Sequence, residues 1–242
     1  MYAVFKRELF SFLNSLMAYI TIGVFLLACA LLLWFFPDTS ILAYGYAEMN
    51  GFFSLVPFLF IFLIPAITMR SFAEERREGT YVLLATKPLS NLQIILAKYL
   101  ACVVLLLFAL VPTLIYYYSI YQLGLPKGNI DSGAVIGSYL GLFLLGNAFI
   151  SIGIFASSIT KNQVIAFAVA VFLCFFAYSG FDSLSKVFEL SLLETILVNV
   201  GINEHYQSIS RGVLDTRDLV YFISFVALFF GFTNLVVGGR KW

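Results

Sequence analysis

Six stretches of this chain contain no Asp, Glu, Lys, Arg or His, and each is long enough to cross a bilayer as a helix: Leu16–Phe36, Met49–Met69, Tyr99–Tyr121, Ser132–Thr160, Asn162–Phe181 and Leu219–Gly239. A hydrocarbon core of about 30 Å takes about 20 apolar helical residues, because every backbone N–H and C=O must be satisfied inside the segment. The pattern predicts an all-α integral membrane protein with six transmembrane helices in one transmembrane domain over residues 1–242. Composition agrees: 62% of residues are hydrophobic and 11% charged, against about 45–50% and about 25% in soluble domains. The fourth stretch exceeds what a span needs, so a tilt or an outer lead-in over Ser132–Ser138 is expected.

Orientation follows from where the 14 lysines and arginines fall. Lys127, Lys186, Arg211 and Arg217 lie on one side of the spans and all the others on the opposite side. The positive-inside rule therefore puts both termini and the 70–98 loop in the cytoplasm, and 182–218 outside. Trp34, Phe35, Phe36, Tyr44, Tyr46 and Tyr116–Tyr118 gather near the expected outer surface, as belt aromatics do.

Cys29, Cys102 and Cys174 each sit inside a different apolar stretch and read as packing residues with no disulfide. Leu26-Leu27-Ala28-Cys29 looks faintly like a processing site, but the apolar run continues to Phe36, so an uncleaved first span is expected.

Ahead of the first span, Tyr2, Phe5, Leu9, Phe12 and Leu16 recur at helical spacing, with Lys6, Arg7, Ser11 and Asn14 between them. Residues 1–15 are thus expected to form a helix lying in the membrane interface, the alternative being a frayed terminus. In the 70–98 loop, Ser71-Phe72-Ala73-Glu74 has the form of a capping box, and Gly79 suits the residue that ends a helix. Thr80–Thr86 is mostly apolar and stops at Lys87-Pro88. Ser90-Asn91-Leu92-Gln93 is then a second capping box, launching the third span. The outer segment alternates apolar groups with charges and predicts two short helices on or dipping into the outer surface.

The chemistry of known active sites is missing. No G-x-x-x-x-G-K-[ST] loop is present to cradle phosphates, and neither H-E-x-x-H nor cysteine pairs at metal-ligand spacing occur. The single histidine, His205, has no second imidazole beside it and reads as a solvated or capping residue. No span carries a carboxylate or histidine, which argues against intramembrane proteolysis and against ion-coupled transport. Neither catalytic, cofactor-binding nor metal-ligating residues are expected, and no nucleic-acid partner. Gly137 and Gly141 form a G-x-x-x-G pair that lets another helix approach the fourth span, with packing inside the chain preferred over a dimer contact.

Glu74-Glu75-Arg76-Arg77-Glu78-Gly79-Thr80-Tyr81-Val82-Leu83-Leu84-Ala85-Thr86-Lys87-Pro88-Leu89-Ser90 resembles the signature of ABC-2-type ABC transporter permeases, E-x-x-x-G-T-x-E-x-L-L-x-x-P followed by a hydrophobic residue and Ser. Val82 stands where that pattern often has glutamate. Phe5–Leu9 is similar to the family's interface helix and Ser210–Phe222 to its approach to the last span. Within the family, Phe58–Phe72 and Glu204–Ser208 are most similar to the permease subunits of bacterial gliding-motility transporters. The resemblance implies a permease subunit in the bacterial inner (cytoplasmic) membrane. Its implied partners are membrane lipid, a second permease copy or related membrane subunit, an ABC ATP-binding subunit that holds ATP and Mg, and an auxiliary subunit with an extracytoplasmic domain. It assigns ATPase coupling to Ser71, Glu74, Glu75, Arg76, Arg77, Glu78, Gly79 and Thr80, and the interface helix to Phe5, Lys6, Arg7 and Glu8. Spans one, two and five would line the path between protomers. Two functions fit it: export of a substrate, or mechanical or assembly work driven by a partner's ATP cycle. An ATP-independent channel or scaffold is the third reading.

Overall fold

The computed structural model describes residues 1–36, 41, 48–81, 88–185, 198–212 and 215–239. The expected apolar stretch after Tyr81, the belt positions Tyr44 and Tyr46, and most of the first half of the outer segment lie outside them.

All regular structure among the described residues is helical, and six of the helices are long and apolar enough to cross a membrane. In chain order the elements are α1 (Tyr2–Leu13), α2 (Leu16–Trp34), α3 (Asn50–Thr68) and α4 (Arg70–Glu78). Then come α5 (Asn91–Leu110), a 3-10 turn at Val111–Thr113 and α6 (Leu114–Leu123). They are followed by α7 (Ser132–Ile159), α8 (Gln163–Phe175), a π-turn at Phe176–Gly180, α9 (Phe181–Ser185), α10 (Ile202–Ser210) and α11 (Thr216–Gly238).

α7 is the hub. It packs against α3, α4, α5, α8, α10 and α11, and 78% of its most apolar window is buried, against 17% for α11. Its composition explains this, because lipid tails offer no hydrophobic gain for helix association and close van der Waals approach must supply the energy. A Cβ at Gly153 would lie 2.0 Å from Thr68 Oγ1, and one at Gly146 would lie 2.4 Å from Leu106 Cδ2. Backbone therefore meets side chain directly at both crossings.

Helix ends follow local chemistry. Ser90 Oγ accepts from Gln93 N–H at 3.3 Å while the Gln93 side chain accepts from Ser90 N–H at 3.2 Å, the reciprocal box expected there. α5 therefore starts before the uncharged stretch does, and Lys98 lies inside it. Asp131, Asn162 and Asp215 cap α7, α8 and α11 more simply, each side chain accepting from first-turn N–H groups. The box expected at Ser71 and Glu74 is not formed. α4 resumes α3 after the single residue Met69, so Ser71 lies within the first turn of a helix that needs no fresh start, and no side chain of α4 caps it.

Candidate coupling site

At the end of the bundle where α1, α4 and the start of α5 meet, four charged side chains form one cluster. Lys98, on the buried stripe Ile94, Ile95, Lys98, Ala101, Cys102 of α5, is wholly enclosed. Its ammonium donates to Glu8 Oε1 at 2.9 Å and to the Ser71 carbonyl at 2.6 Å, and is ion-paired with Glu75 Oε2 at 2.9 Å. The ammonium also lies 5.1 Å from the centre of the Phe72 ring. Arg7 closes the group, donating to Glu8 Oε1 at 2.8 Å and to Glu75 Oε1. Two cations face two carboxylates from three helices. Burial pushes the Glu8 carboxyl upward, but Lys98 and Arg7 outweigh that and hold it below its ordinary 4.5.

A second set of contacts joins α4 to the end of α7. Ser157 Oγ accepts from Phe72 N–H at 2.9 Å and Ala73 N–H at 3.1 Å, and donates to the Met69 carbonyl at 2.8 Å. First-turn N–H groups have no partner inside their own helix. The hydroxyl of Ser157 on the fourth span thus supplies what a capping box in α4 would have supplied, and Ser71 Oγ instead lies 3.8 Å from Cys102 Sγ. Arg76, also buried, donates to the Ser158 carbonyl. Arg70 ties α4 to the junction of α1 and α2 through Ser15 Oγ at 2.6 Å, and pairs with Glu74 at 3.2 Å.

The opposite edge of α4 is open. Arg77, Glu78 and Gly79 are exposed. Gly79 ends the helix at φ +72°, a left-handed conformation that costs glycine little and other residues more. Thr80 Oγ1 bonds back to the Glu75 carbonyl at 3.4 Å. On α1, Val4, Glu8 and Phe12 face the bundle, Phe5 is half-buried, and Lys6 is exposed above the Phe10 ring. Tyr2 and Leu16, which the spacing grouped on one apolar face with Phe12, are largely exposed on the protein.

Gly137 and Gly141 lie far from this cluster, where α7 meets α10. A Cβ at Gly137 would stand 3.0 Å from Gly212 Cα, and one at Gly141 would stand 3.1 Å from Ile209 Cγ2. The pair accommodates α10 and Gly212 of the same chain.

The exposed rim, the buried face and the Gly79 stop bring together Glu74–Thr80 of the quoted signature. A family model described as ABC-2 family transporter protein matches residues 37–240, most of the 242-residue chain. The chain belongs to the ABC-2 transporter family. No curated protein matches it. As an ABC-2 permease, it is the membrane component of an ABC transporter and a multi-pass membrane protein.

The sequence alone left Lys98 out of the site, counting it only as a basic residue at the edge of a span. The signal was there: a lysine in register with Ile94, Ile95, Ala101, Cys102 and Leu105 on one helix face must either snorkel or meet a carboxylate. Ser157 and Ser158 had no comparable signal, since serines in spans commonly bond their own helix.

Proposed function

We propose that this ABC-2 permease couples ATP hydrolysis on a partner chain to movement of its spans through α4. The observation that carries the reading is the two-sidedness of that helix. One face is fixed to α1, α5 and α7 through Glu75, Arg76, Phe72 and Ala73, while the rim Arg77–Gly79 is free to meet another protein. A displacement at the rim would pass to the second, third and fourth spans together, because α4 also continues α3 almost without a break.

The rim then faces the cytoplasm, with both termini on that side of a bacterial inner membrane, in keeping with the basic residues that flank it. ATP and Mg belong to the ATP-binding subunit, and a second permease copy or a related membrane subunit completes the pathway for export. The resemblance of Phe58–Phe72 and Glu204–Ser208 to gliding-motility permeases supports that branch of the family, with an auxiliary subunit bearing an extracytoplasmic domain.

Two measurements test this reading. In a background lacking the three native cysteines, Arg77→Cys and Arg211→Cys should label from opposite sides of sealed vesicles, and labelling from one side only would overturn the topology. The full chain purified in detergent should also bring down an ATP-binding chain whose ATP hydrolysis changes when the permease is present. Hydrolysis indifferent to the permease would overturn the coupling.

A further inference from the structure

His205, whose isolation in the sequence suggests a solvated or capping residue, has partners at both ring nitrogens. On α10 its Nδ1 lies 2.7 Å from Asp218 Oδ1, and its Nε2 lies 3.0 Å from the Asn199 carbonyl oxygen. The ring stacks on Tyr221 of α11, centroids 3.8 Å apart at 20°, and the Tyr221 hydroxyl donates to the Val200 carbonyl at 2.7 Å. Asp218 is 5% exposed, and its only ion-pair partner among the described residues is His205.

We propose that His205 and Asp218 together form a proton-binding site that fastens the outer segment to the last span. The argument is a proton count. Both ring nitrogens face oxygen acceptors, so Nε2 must carry a hydrogen for Asn199 and a second hydrogen must lie between Nδ1 and the carboxyl group. That hydrogen satisfies the contact whether it resides on the ring or on Asp218. With one proton fewer, a lone pair on the ring opposes either the Asp218 carboxylate or the Asn199 carbonyl, and one of the two contacts becomes repulsive. The contacts are therefore those of the doubly protonated pair, and removing one proton weakens them.

Among the described residues, no other charged group pairs with His205 or Asp218. Glu204 is adjacent on α10, Asp182 accepts from Asn203, and Asp215 and Arg217 lie at the start of α11, but none of them pairs with His205. α7, which α10 also packs against, presents no ionisable acid or base of its own along Ser132–Ile159 except Tyr139, which bonds Thr113.

The chain has one histidine, so 15N-histidine labelling of the full protein in lipid bilayers reports this ring alone. Spectra and amide hydrogen exchange of 198–210, normalised to intrinsic rates, would be recorded at about pH 5.5 and about pH 8.5, either side of ordinary histidine titration. Loss of the shared proton should coincide with a fall in protection on the order of tenfold, the loss of one charge-assisted hydrogen bond. In Asp218→Asn the side-chain amide donates to a neutral ring, so protection should stay the same at both pH values. His205→Gln should show lower protection and no step. A step of the same size in Asp218→Asn, or a titrating ring with unchanged protection in the native protein, would overturn the proposal.

Discussion

The two ends of this bundle use buried charge in opposite ways. At the α4 end, Lys98 is hydrogen-bonded to Glu8 and the Ser71 carbonyl and ion-paired with Glu75, and Arg7 balances the second carboxylate, so the cluster is closed by its own charges. At the α10 end, one histidine and one buried aspartate hold two acceptors with a proton count that the solution controls. A closed cluster suits an element that must carry force without yielding, whereas a titratable pair suits a contact that opens and closes. The contrast also locates the small-residue contacts. Gly153 fixes α7 against Thr68 near the rigid end, while Gly137 and Gly141 accommodate α10 at the adjustable one.

The largest expected effect comes from emptying the rigid cluster. Lys98→Ala leaves Glu8 and Glu75 facing each other with one cation, and should destabilise the protein by about 3–5 kcal/mol, read as a drop in unfolding midpoint in detergent. Stability within about 0.5 kcal/mol of native would dissolve the contrast between the ends. Gly153→Leu should come next, at about 1–3 kcal/mol or more, because the Thr68 side chain has no room to give. Ser157→Ala removes the two bonds to the first turn of α4 and should cost about 1–2 kcal/mol, with exchange at Phe72 and Ala73 accelerated. Unaltered protection there would mean that α7 does not hold α4 in this way.

The smallest effect is a pH dependence. Glu8 is held below its ordinary value, so its ionised form contributes stability that is present above that value and disappears as pH falls through the lowered one. Protection of α1 should therefore hold at neutral pH and decline only below about 4.5. A decline between pH 6 and 8, where the α10 end is expected to respond, would show that the two ends are not distinct.

Much of this was legible in the residues. The six spans, the Gly79 stop and the Ser90 box follow from uncharged length and from cap chemistry, which act within a few residues of chain. The start of α4 was misread because Ser71 and Glu74 match a capping pattern that says nothing about whether a helix is already under way. The role of Ser157 was invisible because it acts across eighty-odd residues of chain on N–H groups of another helix. The resemblance grouped Glu75 and Arg76 with Arg77 and Glu78 as one coupling segment. Packing divides them into an anchored pair and a free pair.

That division supplies the most direct test of the coupling role. Arg77→Glu with Glu78→Arg keeps the net charge and touches only the exposed rim, whereas the same exchange at Glu75 and Arg76 would break the anchors and report on folding. Association with the ATP-binding partner, measured by co-purification with the full permease, should be lost in the rim variant while its insertion and unfolding midpoint remain native. Native association together with native ATP-dependent activity in that variant would contradict the account and leave α4 as a structural brace alone.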